Sequence, residues 1–172
     1  MIELAEQDGV AVLRLAHGKV NAMSMEFCEA LIARFAEISS ARAVVMTATG
    51  RTFSAGVDLV RLLEGGAPYV RKFLPVLSNL FVTVFSHPAP VVAAINGHAI
   101  AGGCVLACAA DKRLMARDSG HIGVTELLVG VPFPPAAMEI MCCAAAPQFF
   151  RGRDPQRCDL YAGRGRRARL HP

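Results

Sequence analysis

The sequence predicts an α/β domain over residues 1–150, followed by an arginine-rich tail over residues 151–172. Two observations indicate this fold class. Short apolar runs rich in β-branched residues, each of the length that a buried strand needs, recur along the first part of the chain. Between them lie segments whose apolar residues repeat at helical spacing. Hydrophobic residues make up 53% of the chain and charged residues 19%, a composition typical of a globular domain with a sizeable core.

Local signals at the start of the chain predict a hairpin, a helix and a third strand. Ile2–Gln7 and Val10–Leu15 are strand-like runs, and the Asp8-Gly9 dipeptide between them is typical of a tight hairpin turn. Ser24 can cap a helix, and Ala43–Thr49 is the next strand-like run. The predicted helix has one apolar face, which is formed by Phe27, Leu31, Ile32, Phe35 and Ile38.

The segment Val91–Ala110 predicts a strand, a turn and a helix that is apolar on every side. Val91–Ile95 has the length of a strand, and Asn96-Gly97 is a turn signal. A helix that begins at Gly102 leaves its first N–H groups without intrahelical partners, at the positive end of the helix dipole. The segment is therefore either a candidate site for an anion or oxyanion, or a joint whose glycines only permit close packing.

A second glycine-containing turn lies at Ser54–Gly56. Gly56 allows the main chain to turn sharply, so the N–H of Val57 could point into a cleft. The alternative is a plain turn with no ligand. Beyond this turn we expect a short helix over Asp58–Leu63, a hinge or loop at Gly65–Pro68 and a helix over Tyr69–Phe85.

Glu126 is the one carboxylate between Asp118 and Glu139, and it is set among apolar residues. Partial desolvation would raise the pKa of its carboxyl group towards a range that is useful for proton transfer. The alternative is a glutamate at the start of a helix that accepts hydrogen bonds from main-chain N–H groups. The elements expected around it are a strand over Asp111–Ala116, an extended piece over His121–Gly123 and a helix that begins at Pro134-Pro135.

The positive charge of the chain is concentrated in its tail. Residues 1–150 contain 11 Lys and Arg against 12 Asp and Glu, whereas residues 151–172 contain seven Arg against two Asp. The core therefore gives no electrostatic basis for binding nucleic acid. We expect the tail to be disordered or translated out of frame, and a nucleic-acid-binding tail is the alternative. Prolines and Asn96 interrupt the apolar stretch before residue 110, so no membrane span is expected.

The six cysteines predict reduced thiols and no metal site. Cys104 and Cys108 would lie one helical turn apart, and no Cys or His pair at the spacing of a zinc site accompanies them. Cys142 and Cys143 are adjacent. We expect the thiols to be buried in an apolar interior, as in a cytoplasmic protein, and the acidic first residues give no sign of a signal peptide.

Four stretches together resemble the crotonase superfamily, the enoyl-CoA hydratases and isomerases. They are Thr52–Leu59, Ala94–Cys104, Ile122–Gly130 and Val20–Ser24. The resemblance implies a spiral of ββα units. It also implies that the C-terminal helices, which usually cover the acyl pocket and build a homotrimer or hexamer, are missing beyond residue 150. We therefore expect a truncated or frameshifted gene product.

The resemblance further implies an acyl-CoA thioester as substrate, with coenzyme A as part of that substrate and no separate cofactor. The thioester carbonyl would accept hydrogen bonds from the main-chain N–H groups of Val57 and Gly102. Two such donors stabilise the enolate that forms when a proton leaves the carbon next to the thioester. The substrate-binding residues that it implies are Ala55, Gly56, Val57, Asp58, Leu59, Gly102 and Gly103.

Carboxylates distinguish the reactions of this superfamily. Its hydratases use two glutamates to hold and activate a water, and the matching positions here are Val105, which cannot ionise, and Glu126. One base can still move a proton from C2 to C4, which is the reaction of the Δ3,Δ2-enoyl-CoA isomerases. The resemblance therefore implies an isomerase with Glu126 as its catalytic base. The alternatives are an enoyl-CoA hydratase-like protein and a catalytically inactive remnant.

Overall fold

A computed structural model of the chain describes residues 1–117, 120–126 and 132–144. Pairs of strands alternate with single helices, so a ββα unit occurs three times before a last pair of strands and a later helix. This is the spiral order that the family resemblance implies. The elements are β1 (Ile2–Gln7), β2 (Val10–Leu15), α1 (Met25–Glu37), β3 (Ala43–Ala48), β4 (Thr52–Ser54), α2 (Leu59–Phe85), β5 (Val91–Ile95), β6 (His98–Ile100), α3 (Gly102–Ala109), β7 (Lys112–Met115), β8 (Ile122–Gly123) and α4 (Pro135–Ala144).

The strands form two sheets. The larger sheet has the order β1-β2-β3-β5-β7; β1 and β2 pair antiparallel across the predicted Asp8-Gly9 turn, and the other neighbours are parallel. The smaller sheet, β4-β6-β8, is parallel throughout. Each of its three short strands is the second strand of a pair. Because parallel strands run in one direction, the carboxyl ends of these three strands meet at one edge of the sheet.

One hydrophobic core joins the larger sheet to the four helices. Leu13 of β2, Phe27 of α1 and Leu106 of α3 are among its fully buried members. Every residue of α3 is buried, as expected for a helix that is apolar on all sides. The core therefore fixes α3 firmly against its surroundings, including the residues at its amino end.

α1 begins as its sequence predicts. The hydroxyl of Ser24 accepts a hydrogen bond from the N–H of Phe27 at 3.3 Å, which satisfies one of the free donors of the first turn. The helix buries most of the predicted apolar face, although Ile32 is only half-buried. It ends at Glu37, and β3 ends at Ala48, one residue before the predicted end of that strand.

α2 consists of two helical segments that meet at a kink, as the prediction of two helices expects, but no loop separates them. Asp58 caps the helix, with its Oδ1 accepting a hydrogen bond from the N–H of Arg61 at 3.1 Å, but the helix then continues to Phe85. The expected hinge at Gly65–Pro68 is reduced to Gly66, whose φ of 55° and ψ of −160° interrupt the helical geometry. Glycine adopts this conformation without a Cβ penalty, so a single residue is enough for the kink.

The prediction that the thiols lie in an apolar interior is correct for three cysteines and wrong for two. Cys28, Cys104 and Cys108 are buried, and burial raises the pKa of the Cys28 thiol to about 12. Cys142 and Cys143 are exposed because α4 turns only one of its faces to the core. The adjacent pair lies on the other side of that helix.

The remaining elements lie close to their predicted places. The strand expected over Asp111–Ala116 is β7, one residue shorter at each end, and the predicted helix begins at Pro135. The predicted core boundary at residue 150 and the tail over residues 151–172 lie outside the described residues. In the described part of the chain, no helix has the length and apolar character needed to cross a bilayer.

Candidate functional site

Three of the predicted site residues come directly after the three strands of the smaller sheet. β4 ends at Ser54 and is followed by the turn that carries Val57; β6 ends at Ile100, just before Gly102. β8 ends at Gly123, and Glu126 follows three residues later. Because the carboxyl ends of these parallel strands share one edge, the topology brings the three predicted residues to the same place.

Two main-chain hydrogen bonds to Met23 set the direction of the N–H of Val57. The carbonyl of Gly56 accepts a hydrogen bond from the N–H of Met23 at 2.8 Å, and the N–H of Asp58 donates to the carbonyl of Met23 at 3.1 Å. A trans peptide is planar, so the N–H of Val57 points opposite to the carbonyl of Gly56 and thus away from Met23. Among the described residues this N–H has no hydrogen-bond acceptor.

Gly102 supplies a second free N–H at the start of α3. The N–H groups of Cys104 and Val105 both donate to the carbonyl of Ala101, at 2.9 and 3.2 Å, but that of Gly102 has no acceptor in the described part of the chain. Ala101 precedes the helix with a φ of 53° and a ψ of −127°, and its side chain makes no capping hydrogen bond. The positive end of the helix dipole is therefore uncovered at this point.

The two turns are in direct contact, and glycines make that contact possible. A Cβ built at Gly56 would lie 2.8 Å from the nitrogen of Gly102, and one built at Gly102 would lie 3.7 Å from Cγ2 of Val57. Gly56 also has a φ of +85°, which side-chain-bearing residues rarely adopt. The free N–H groups of Val57 and Gly102 thus belong to adjacent turns, as a pair of oxyanion donors requires.

An apolar cavity lies beside these turns. Its volume is about 470 Å³, including its opening to solvent, and Glu126 is the only ionisable side chain among the described residues of its wall. Val57, Gly102 and Val105 line the same cavity. The rest of the described wall comes mainly from α2 and from the segment at the start of α4, and consists of Leu59, Leu62, Phe73, Leu74, Leu77, Phe81, Pro132, Phe133, Pro134 and Ala137.

Glu126 is a carboxylate in surroundings that disfavour its charge. Burial raises the pKa of its carboxyl group above the ordinary value, and the main-chain N–H groups of Glu126 and Thr125 partly oppose that rise. Within the described residues, its buried Oε2 has no hydrogen-bond partner. Both interpretations of Glu126 from the sequence thus have physical support: it interacts with main-chain donors, and it is also desolvated towards the cavity.

Val105 is the residue at which the family resemblance implies the second acid of a hydratase. It lies one turn into α3, is 1% exposed and contacts the cavity that Glu126 also lines. Its side chain can neither bind a water by hydrogen bonding nor exchange a proton. In the described part of the wall, Glu126 is therefore the single carboxylate that lines the cavity together with Val57 and Gly102.

The predicted substrate-binding residues divide into two groups. Those that line the cavity are Val57, Leu59 and Gly102, and those that do not are Ala55, Gly56, Asp58 and Gly103. The second group has contacts of its own: Asp58 caps α2, and a Cβ built at Gly103 would overlap the carbonyl oxygen of Ser54. Contact between this second group and a substrate stays a prediction.

The sequence reasoning missed the residues that hold the Val57 turn in place. Asn21 and Ser54 are both buried, and their side chains hydrogen-bond to main-chain groups in the loop before α1, at the start of β4 and within the turn at Gly56. The stretch Val20–Ser24 resembles the family, but no local signal gives its asparagine a role. The cavity-lining face of α2 was likewise predicted only as core, because periodicity cannot distinguish a core face from a pocket wall.

Comparison with known proteins relates this geometry to one family. The family model described as "Enoyl-CoA hydratase/isomerase" matches residues 5–148. The mitochondrial enoyl-CoA delta isomerase 1 of Rattus norvegicus is 29% identical over 139 residues, which cover 78% of this chain and 48% of the rat protein. The crystal structure of a probable enoyl-CoA hydratase from Mycobacterium tuberculosis superposes with a TM-score of 0.79 and 34% identity, over 86% of this chain and 63% of that one.

The chain spans about half the length of the curated relatives that it matches. The match nevertheless includes all twelve strands and helices described above, from Ala5 within β1 to the end of α4. It also includes the turns of Val57 and Gly102 and the acid at Glu126. On this evidence the chain belongs to the enoyl-CoA hydratase/isomerase family.

Proposed function

We propose that this chain is an acyl-CoA-processing enzyme that converts a 3-enoyl-CoA into the conjugated 2-enoyl-CoA. The observation that carries this proposal is one cavity whose described wall contains two turns with free N–H groups and a single desolvated carboxylate, that of Glu126. Such a set of groups suits a reaction that makes and consumes an enolate with one base. It suits the addition of water less well, because Val105 stands at the position expected for a second acid and the described part of the wall holds no other acid to bind that water.

The proposed reaction moves one proton and one double bond. The thioester oxygen accepts hydrogen bonds from the N–H groups of Val57 and Gly102, while the carboxylate of Glu126 removes a proton from C2. The electron pair of the broken C–H bond forms a dienolate whose negative charge rests largely on the thioester oxygen. The protonated Glu126 then returns the proton to C4, and the double bond shifts from C3–C4 to C2–C3. Atoms and charge balance without a cofactor.

The two N–H donors, the Glu126 carboxylate and the apolar wall would each lower the barrier of the proposed reaction in a different way. Loss of one oxyanion donor typically costs about 3–4 kcal/mol of transition-state stabilisation, and both donors here are main-chain groups fixed before the substrate arrives. The apolar wall raises the pKa of Glu126, which makes its carboxylate a stronger base. The same wall excludes water that would otherwise compete for the charge on the thioester oxygen.

The test is the Glu126→Gln variant of the full chain, assayed with a 3-enoyl-CoA by the appearance of the conjugated product. We expect kcat to fall by about a thousandfold or more, with the Kd of the substrate within a few-fold of the original. Glu139→Gln is the matched control, since Glu139 is an exposed carboxylate on α4 and should leave kcat unchanged. Full activity in Glu126→Gln would refute the assignment of the base.

Hydration is the second candidate reaction, because a relative from Thermus thermophilus that is 44% identical over 92 residues is named "Putative enoyl-CoA hydratase". It is tested by adding a 2-enoyl-CoA and following the loss of the conjugated chromophore. Water addition at a rate equal to that of isomerisation would replace our proposal. A poorly soluble chain that binds acyl-CoA weakly or not at all and turns over neither substrate would instead support the third possibility, an inactive remnant.

The remaining expectations about partners and location are proposals of the same kind. The substrate class rests on family membership. We expect no nucleic acid partner from the charge of residues 1–150, and no membrane partner because prolines and Asn96 interrupt the apolar stretch before residue 110. A cytoplasmic location stays a prediction, since the rat relative is mitochondrial by its name. The homotrimer or hexamer implied by the resemblance likewise stays a prediction.

A further inference from the structure

We infer that Asn21 and Ser54 are positioning residues that fix the direction of the Val57 N–H. The inference rests on the proposed function, in which that N–H binds the thioester oxygen. Neither side chain lines the cavity, so neither would touch the substrate. Both residues lie next to the turn, and their hydrogen bonds connect the loop before α1 to β4.

Asn21 fixes the loop before α1 against β4. Its side chain is buried, with Oδ1 accepting a hydrogen bond from the N–H of His17 at 2.7 Å and Nδ2 donating to the carbonyl of Thr52 at 3.0 Å. Its φ of 50° is uncommon for a residue with a side chain, although asparagine tolerates it better than most. An asparagine here supplies a donor, an acceptor and a tolerated left-handed conformation together.

Ser54 connects the loop before α1 to the turn itself through its hydroxyl group. Its hydroxyl donates to the carbonyl of Asn21 at 2.8 Å and accepts from the N–H of Gly56 at 3.1 Å. The residue is fully buried. The hydroxyl thus satisfies two main-chain groups that have no access to water, and it sets the orientation of the peptide that enters Gly56.

The next peptide, between Gly56 and Val57, is the one that carries the proposed donor. Its carbonyl end is held by the N–H of Met23, and the N–H of the preceding residue, Ala55, donates to the carbonyl of Val20 at 2.9 Å. The loop over residues 20–23 therefore supports both ends of the turn, and the hydroxyl of Ser54 is the one side-chain group between them. Gly56 has no Cβ to resist rotation, so these hydrogen bonds limit the orientation of the peptide.

Removal of the hydroxyl should act on the reaction through the direction of this peptide. Ser54→Ala leaves the N–H of Gly56 and the carbonyl of Asn21 buried without their partner, and the turn can regain hydrogen bonds only by rotating. Such a rotation moves the N–H of Val57 away from the thioester oxygen. Because a lost oxyanion donor lowers kcat by about 100- to 1,000-fold, a misdirected one should lower it by about 10- to 100-fold.

The experiment compares Ser54→Ala with Thr49→Val in the full chain. The hydroxyl of Thr49 also donates to a distant carbonyl, that of Leu15 at 3.3 Å, but it does so away from the turn. We expect kcat to fall in Ser54→Ala with KM within threefold of the original, and both constants to be unchanged in Thr49→Val. The second measurement is the red shift of a bound conjugated 2-enoyl-CoA, which reports polarisation of its carbonyl and should shrink only in Ser54→Ala.

The outcomes separate this inference from the proposed function. An original chain that neither isomerises its substrate nor shifts the spectrum of the bound thioester overturns the proposed function, and the inference with it. An active original chain beside a folded Ser54→Ala variant with the same kcat and the same red shift overturns the inference alone. If Ser54→Ala does not fold, Ser54→Cys replaces it, because a thiol has nearly the size of the hydroxyl but forms weaker hydrogen bonds. A Ser54→Cys variant with the kcat of the original chain would likewise overturn the inference.

Discussion

Replacement of Gly56 by alanine tests the contact between the two turns most directly. Alanine must adopt a φ of +85°, and its Cβ would meet the Cβ of Ala101 and the nitrogen of Gly102 at 2.8 Å. Ordinary contact begins near 3.4 Å, so one of these turns must retreat by about 0.6 Å. The amino end of α3 cannot move freely, because every residue of that helix is buried.

The expected cost has two parts. A side chain at positive φ costs roughly 1–2 kcal/mol, and an overpacked contact costs typically 1–3 kcal/mol more. We therefore expect the free energy of unfolding to fall by about 2–5 kcal/mol. Displacement of the Gly102 N–H should also lower kcat by at least about tenfold, because misplacement by about 1 Å can reduce a rate by about 100-fold.

Gly50→Ala is the matched control for this prediction. Gly50 has a φ of +73°, but a Cβ built there would meet nothing within 4 Å. It should therefore carry only the conformational cost, with kcat unchanged. Urea unfolding of both variants and the isomerase assay measure the difference. If Gly56→Ala loses no more stability than Gly50→Ala and keeps its kcat, the argument that the two turns are held in fixed contact is refuted.

Two further predictions concern Ala101 and Glu126. Ala101→Gly should raise the free energy of unfolding by about 1 kcal/mol, because it relieves an alanine at a φ of 53°. The same change at Ala136, in the first turn of α4, should lower that free energy by a similar amount, and urea unfolding compares the two. The pKa of Glu126 is raised by burial from the ordinary value of 4.5, so at pH values between these two pKa values the folded chain binds more protons than the unfolded chain. The free energy of unfolding should therefore fall as pH rises through this interval. Activity should rise with pH over the same interval, because the carboxylate is the proposed base. If stability depends on pH in the same way in Glu126→Gln, the pH dependence does not come from Glu126.

The parts of the fold that the sequence predicts are those determined by neighbouring residues. The hairpin follows from Asp8-Gly9, which lies between two runs of strand length, and the start of α1 follows from the hydroxyl of Ser24. The burial of α3 follows from a sequence that is apolar on every side. For the hairpin and the start of α1 the deciding contact lies within four residues along the chain, and for α3 the deciding property is the local composition of the helix.

The smaller sheet could not be predicted in this way. Its strands have only three, three and two residues, which is too short for an alternating pattern to be recognised. Asn21 presents the same difficulty, because its side chain bonds to Thr52, 31 residues away, and its carbonyl to Ser54, 33 residues away. Local signals in the sequence indicate Val57, Gly102 and Glu126 as candidates and the family resemblance gives them roles, whereas the supporting residues emerge only when the pairing of distant strands is known.

The repeat order of the fold explains how one side chain can determine the proposed reaction. Successive units bring the turns of Val57 and Gly102 and the acid at Glu126 to one edge of the smaller sheet. The two proposed donors are main-chain groups, so they tolerate many side chains as long as Gly56 and Gly102 allow the turns to meet. The enolate can therefore be stabilised independently of which acids face the cavity. The proposed proton transfer depends on the acids alone, and among the described residues of the wall Glu126 is the only acid that could carry the proton from C2 to C4.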